Sequence, residues 1–203
     1  YTSEWVDAAL VQNAPVQAYN LSISGGNQTS TFAAGAGYAN QENAFFASEF
    51  DRYSLFFNSD HDLTSWLTVG ESYRLVYSQT SSESGAGLNT TFGTPWQPVY
   101  YEDGPGGFAP VGRTIEGTFQ SYGYGPGTRS NFRGLALFEK QERDLLRNLG
   151  TAYAEITPVE GLRFRGTLSV DYYTNVREQY EEMERGLFEV TRGTPYPQSV
   201  GNT

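Results

Sequence analysis

The sequence predicts an all-β fold. About six antiparallel strands are expected to form one segment of a larger transmembrane β-barrel, with long extracellular loops. Three observations support this fold class. Six segments alternate between two faces with a period of two residues, and the connections between them are short and long in turn. The composition includes 15 Tyr, 23 Gly and a single lysine, Lys140, whereas soluble domains coat their surface with Lys and Glu.

The alternating segments define the predicted strands. They cover residues 16–24, 30–40, 51–60, 67–79, 145–156 and 161–173. In the first hairpin, Leu21 and Ile23 alternate with Ser and Asn side chains, and positive φ angles at Gly25, Gly26 and Asn27 are expected to make the turn. In the fifth strand the sequence does not decide which face is apolar. Leu149, Thr151 and Tyr153 lie on one face, and the small residues Gly150, Ala152 and Ala154 lie on the other.

The lengths of the connections predict how the strands are oriented. Those at residues 25–28, 61–66 and 157–161 are short, whereas the loop at 80–144 is very long. Outer-membrane barrels have short periplasmic turns and long extracellular loops, so the first, third and fifth strands are expected to run towards the periplasm. Six strands cannot enclose a lumen wide enough for a solute, and we expect the chain to be a piece of a larger protein.

Composition also argues against several classes of function. The net charge of −10 and the pI near 4.5 leave no basic surface for nucleic acid. The absence of cysteine excludes disulfides and thiolate metal sites, and no apolar run is long enough for a transmembrane helix. The only histidine, His61, is expected in a solvated turn between Asp60 and Asp62. We therefore predict no metal, no cofactor, no catalytic residue and no enzyme activity.

Aromatic residues near the strand ends are expected to form the interfacial girdle of a membrane barrel. These residues are Tyr38, Tyr53, Tyr77, Tyr172 and Trp66. Glu71 is the clearest violation of the predicted apolar face. Because it lies a few residues from a short turn, we expect it at the level of the lipid headgroups, where a charge costs little.

Two groups of residues are candidates for contact with a solute. In the long loop these are Trp96, Tyr100, Tyr101, Tyr122 and Tyr124, which could stack on sugar rings or peptide, or could pack against each other or a partner. Along the strands, Arg74, Arg163, Arg165 and Asp171 are predicted to face the lumen. The arginines could attract an anionic solute, or could pair with lumen carboxylates such as Asp171 or with a plug domain.

Three stretches carry a resemblance to a known family: "APVQAYNLSISGGNQTSTFAAGAGYANQE", "FDRYSLFFNSDHDLTSWLTVG" and "RNLGTAYAEITPVEGLRFRGTLSVDY". The sequence resembles the SusC/RagA class of TonB-dependent outer-membrane transporters of Bacteroidota over residues 3–79 and 145–173. The resemblance assigns residues 1–203 to one TonB-dependent-receptor β-barrel domain, with no plug domain in the sequence.

The resemblance also implies a function and partners. Members of the class import oligosaccharides or peptides through a barrel of about 22 strands in the outer-membrane lipids. The TonB complex, reached through N-terminal parts that this sequence lacks, would energise uptake, and a SusD-like surface lipoprotein would act as a lid.

Two alternatives remain open. A SusC-like barrel could serve as a scaffold in an outer-membrane assembly. A secreted, soluble β-sandwich could instead bind carbohydrate through its aromatic loops. In a sandwich, Phe32, Leu55, Leu75 and Leu168 would converge across two stacked sheets.

Overall fold

The structure is a computed structural model that describes residues 5–82, 98–109, 130–182 and 198–202. The described residues form one antiparallel sheet in which the strands lie side by side in chain order. The strands are β1 (Val16–Gly26), β2 (Ser30–Glu42), β3 (Glu49–Thr64), β4 (Leu67–Ser82), β5 (Glu139–Val159), β6 (Leu162–Glu181) and β7 (Gln198–Asn202). The helices are α1 (Trp5–Ala9), α2 (Phe132–Leu137) and a short 3-10 segment at Pro105–Gly107. Across the described ranges, no helix is long and apolar enough to span a bilayer.

Six of the strands occupy the regions where alternation predicted them, and all six are longer. β5 begins at Glu139 and β6 ends at Glu181, so the long connection between β4 and β5 covers only residues 83–138. Both faces are mainly polar in these extensions, where Val176 and Tyr180 are the large apolar or aromatic side chains. The hydrophobic period therefore disappears while the backbone pairing continues, and a pattern based on hydrophobicity cannot detect the strand ends.

The short turns differ in detail from the sequence predictions. Gly25 and Gly26 lie in β1 and do not have positive φ, so the expected glycine turn is wrong. The turn is made instead by Asn27, whose side-chain oxygen accepts hydrogen bonds from the backbone N–H groups of Thr29 and Ser30, at 2.9 and 2.8 Å. The turn between β5 and β6 does use a glycine with positive φ, Gly161 (φ +83°).

The expected position of His61 in a turn is also wrong. His61 lies within β3, opposite Val69 of β4, because the strand continues to Thr64 and the turn consists of residues 65–66 alone. The Asp residues on either side of it suggested a turn, but strand pairing imposed from β4 overrides that local preference.

The sheet has two chemically different faces, here called the apolar face and the polar face. On the apolar face, the register aligns Leu21, Ala36, Leu55 and Leu75 in one row across β1 to β4. Strand β5, whose sequence left the choice open, presents Gly150, Ala152, Ala154 and Ile156 on this face. Its bulkier Leu149, Thr151 and Tyr153 lie on the polar face.

The apolar side chains of the sheet are not covered by protein in the described part of the chain. Leu21 is 77% exposed, Leu168 is 71% exposed and Phe164 is 60% exposed. A soluble sandwich requires a second sheet packed on this face, and the described strands form a single sheet. The predicted class, an all-β antiparallel segment of a transmembrane barrel, is confirmed, whereas the sandwich arrangement is not observed.

The buried core lies at one end of the sheet, not on its face. It consists of Trp5, Ala8, Ala9, Phe46, Val99 and Phe132, which we call the end cluster. These residues come from α1, the β2–β3 connection, residues 98–109 and α2, all at the end opposite the short turns. The ring of Phe132 lies 5.5 Å from that of Trp5 and 5.4 Å from that of Phe46. The longer connections are therefore held together by their own hydrophobic contacts.

Candidate functional site

A row of four tyrosines crosses the apolar face near the end cluster. Tyr19, Tyr38, Tyr53 and Tyr77 lie directly opposite one another in β1 to β4, with ring centroids 6.5, 5.0 and 6.3 Å apart in that order. The Tyr38 hydroxyl donates to Asp51, one row closer to the strand ends, at 2.8 Å. A tyrosine suits a membrane interface when its ring lies on the apolar side and its hydroxyl contacts a polar neighbour.

Near the short turns, the apolar face carries a chain of hydrogen bonds. The Ser59 hydroxyl donates to Glu71 at 3.2 Å, and the two ring nitrogens of His61 lie 3.0 Å from the Ser30 hydroxyl and 3.1 Å from that of Ser59. The carboxylate contacts the serine and not the histidine, so this is not the arrangement of a catalytic triad. Its evident role is to provide Glu71 and His61 with polar partners on a face that is otherwise apolar.

The polar face near the short turns is lined by paired charges. Arg163 and Arg165 both contact Glu155 of the neighbouring strand, at 3.2 and 3.8 Å. The Arg165 guanidinium also lies 3.7 Å from the ring centre of Tyr153, and the Tyr153 hydroxyl donates to Asp60. Positive and negative groups are balanced here, so these arginines are held by the sheet itself.

Asp171, one of the possible partners of the three arginines, pairs with a different arginine. Arg147 of β5 contacts both of its carboxylate oxygens, with Nε–Oδ1 and NH2–Oδ2 distances of 3.0 and 2.6 Å. Among the described residues, Arg74 makes no ion pair and lies on the polar face opposite Phe56 and Leu149. Arg163 and Arg165 therefore pair with a carboxylate of the sheet, but through Glu155 and not through Asp171, and their position facing a lumen stays a prediction. Arg147 was missed because β5 has no clear alternation.

The candidate aromatic residues of the long connection are only partly described. Trp96, Tyr122 and Tyr124 lie outside the described residues. Tyr100 forms an isolated bridge with Phe108, with ring centroids 5.6 Å apart, and its side chain is 47% exposed. The backbone N–H of Tyr101 donates to Gly107 at 2.9 Å. Whether Tyr100 and Tyr101 contact a solute stays a prediction.

Asn131 connects this segment to α2. Its side-chain amide is fully buried and donates to the backbone carbonyls of Val99 and Ala109, at 2.8 and 2.9 Å. Its oxygen accepts from the first backbone N–H groups of α2, at Arg133 and Gly134. One side chain thus caps the helix and fixes residues 98–109 against it. The segment "RSNFRG" contains the Asn that such a cap requires, but the sequence does not show its distant partners.

The described residues contain no group of three or more His, Asp or Glu side chains placed to hold a metal ion. The described residues form three surfaces instead: an apolar face of the sheet, a charged polar face, and the end cluster at one end. An exposed apolar face with a tyrosine row, a polar opposite face and long connections at one end are the features of an outer-membrane β-barrel.

Comparisons with known proteins agree with this class. The chain is 27% identical over 183 residues to TonB-dependent receptor P26 of Formosa agariphila, covering 88% of the chain and 17% of that receptor. The RagAB peptide importer in its closed-closed state superposes with a TM-score of 0.69 and 21% identity, over 96% of the chain and 21% of the importer chain. In its open-open state the TM-score is 0.66 at 22% identity, over 90% of the chain and 20% of the importer chain.

No family model matches the sequence. The chain spans about a fifth of the length of the relatives it matches. The resemblance to the SusC/RagA class of TonB-dependent outer-membrane transporters is confirmed, and the fold is that of a part of such a barrel.

Proposed function

We propose that this chain is part of a TonB-energised nutrient importer of the outer membrane, which takes up oligosaccharides or peptides and works with a SusD-like lipoprotein lid. The observation that carries the proposal is the two-faced sheet. Its apolar side chains are exposed, as contact with lipid requires, while ion pairs such as Arg147–Asp171 line the opposite face. The relatives named above, a TonB-dependent receptor and a peptide importer, support the same role.

The end cluster supports the proposal that the outer opening of the barrel lies at the end of the sheet with the long connections. α1, the β2–β3 connection, residues 98–109 and α2 are ordered together there by burial of Trp5 and Phe132. Exposed Tyr100 lies in this region. We propose that this surface meets the lid and the solute, because ordered loops with exposed aromatics suit recognition of sugar rings or peptide.

Cysteine labelling tests the membrane arrangement, because this chain contains no cysteine. Single Ser54→Cys and Leu55→Cys variants are adjacent in β3 and point to opposite faces. In the full-length protein in isolated outer membranes, with any other cysteines replaced, we expect a water-soluble maleimide to modify position 54 and spare position 55. A lipid-soluble maleimide should modify position 55. Equal reaction of both positions with the water-soluble reagent would refute contact with lipid.

A second experiment separates import from a scaffold role. Uptake of labelled oligosaccharides and oligopeptides is measured in cells with the full-length gene, without it, and without TonB. Import predicts that uptake of at least one of these solutes is lost in both deletions. A scaffold predicts that uptake is unchanged, while the composition of the outer membrane changes.

A further inference from the structure

We propose that a cleft on the polar face binds an anionic group, a carboxylate or a sulfate, of the imported solute; this inference rests on the importer function above. The cleft lies between β4, β5 and β6, towards the end that carries the long connections, and has a volume of about 450 Å³. It is lined by Thr80, Ser82, Gln141, Arg143, Asn175 and Arg177. All are polar, and the described lining contains two guanidinium groups and no carboxylate.

The two arginines occupy directly opposed positions in neighbouring strands. Arg143 of β5 and Arg177 of β6 are partners in the strand register, so their Cβ atoms are separated by about 5 Å. Like charges in directly opposed positions destabilise a sheet. An anion placed between the two guanidinium groups would remove this repulsion.

Neutral groups hold both arginines in position. The Nε–H of Arg143 donates to the amide oxygen of Asn175 at 3.0 Å. The Arg177 guanidinium lies against the side-chain amide of Gln141, with the amide oxygen as acceptor. An amide oxygen orients a guanidinium without cancelling its charge, and arginine has further N–H donors that suit bidentate binding of an oxyanion. The cleft is thus preorganised for an anion.

Arginines elsewhere on the polar face are paired with carboxylates. Arg147 is paired with Asp171, and Arg163 and Arg165 are paired with Glu155. Glu142, Asp144 and Glu178 are adjacent to the two arginines in sequence but lie on the opposite face of the sheet. The nearest carboxylates of β5 and β6 on the polar face, Glu139 and Glu181, both accept from the amide of Gln179, at 3.3 and 2.9 Å. The charge at the cleft is therefore a local feature of an acidic chain, whose overall charge is −10.

The test uses the full-length transporter, purified in detergent with any lipoprotein that accompanies it. Calorimetry measures binding of maltohexaose, sulfated maltohexaose, hexagalacturonate and hexaglutamate at low and high salt. The first two differ only in the sulfates, and the last two distinguish a carboxylated sugar from an acidic peptide. We expect an anionic compound to bind, neutral maltohexaose not to bind, and affinity to fall as salt screens the charges.

Variants then locate the site. Arg143→Gln with Arg177→Gln should weaken binding of the anionic compound about tenfold or more, as expected when charge-assisted hydrogen bonds are lost. The corresponding double Lys variant keeps the charge and should retain part of the affinity. The matched control is Arg163→Gln with Arg165→Gln, which removes two equal charges from the ion pairs with Glu155 near the short turns and should bind like the parent.

Two results would overturn the anion site: equal binding of neutral and sulfated maltohexaose, or unchanged anion binding by the double Gln variant. If unchanged binding is accompanied by a loss of thermal stability, the arginines hold another segment of the protein instead. TonB-dependent uptake of neutral compounds alone would refute the anion site and keep the importer. Anion binding without TonB-dependent uptake of any compound would refute the importer and keep the site.

Discussion

Replacing Leu168 by Arg is the most direct test of the claim that the apolar face contacts lipid. Leu168 lies in β6 between Tyr172 and Leu162, and its side chain is 71% exposed. With a rise of about 3.3 Å per residue and a strand tilt of about 40°, it lies roughly 10 Å from the level of Tyr172 and roughly 15 Å from that of Leu162. These distances add up to about 25 Å, the height of the apolar band of outer-membrane barrels.

Leu168 is therefore close to the middle of the bilayer, where an arginine on the lipid face costs about 2–4 kcal/mol. The folding equilibrium should fall by a factor of about 30 to 700, since about 1.4 kcal/mol corresponds to tenfold. The assay is the guanidinium unfolding midpoint of the full-length barrel in phospholipid vesicles. The matched variant is Ser169→Arg, which places the same side chain on the polar face, where we expect a change within about 0.5 kcal/mol.

Two results would refute this reasoning. An unchanged midpoint for Leu168→Arg would mean that Leu168 faces water. Equal destabilisation by Ser169→Arg would mean that the two faces of β6 do not differ in their surroundings.

Three further predictions concern the contacts that order the sheet and its end cluster. Asn131→Leu removes a helix cap and two buried donors, so residues 98–109 should lose hydrogen-exchange protection by roughly 2–4 kcal/mol. Asn131→Asp keeps the acceptor of the cap but turns a buried carboxylate towards the carbonyls of Val99 and Ala109, so it should lose at least as much. Gly70→Ala should lower the unfolding midpoint, because a methyl group there would clash with the Tyr153 ring and with the Asp60 carboxylate that accepts from its hydroxyl. A smaller effect of Gly70→Ala in a Tyr153→Ala background would show that this clash is the cause. In a double-mutant cycle, Arg147→Gln and Asp171→Asn should have nearly additive effects on the unfolding midpoint, since both side chains are about half exposed. A clear departure from additivity would show that the pair is shielded from water.

The agreement between sequence and structure is best where the signal is local. The alternation of Leu162, Phe164 and Leu168 with Arg163 and Arg165 was sufficient to place β6 and its two faces. It failed at His61, where flanking Asp residues suggested a turn, and in β5, where small residues occupy the apolar face. In both places the pairing partner decides the conformation, and no local preference reveals it.

By itself, the sequence determined the class of protein: a period of two residues, connections that are short at one end and long at the other, and a surface rich in tyrosine and poor in lysine. Only the tertiary structure decided which distant residues meet. The opposition of Arg143 and Arg177, the pairing of Arg147 with Asp171, and the contact of Asn131 with residues 98–109 all join separate strands or loops. The physical reason is that alternation follows from the geometry of a single strand, whereas cross-strand contacts depend on the register between strands, which a change of one residue would reverse.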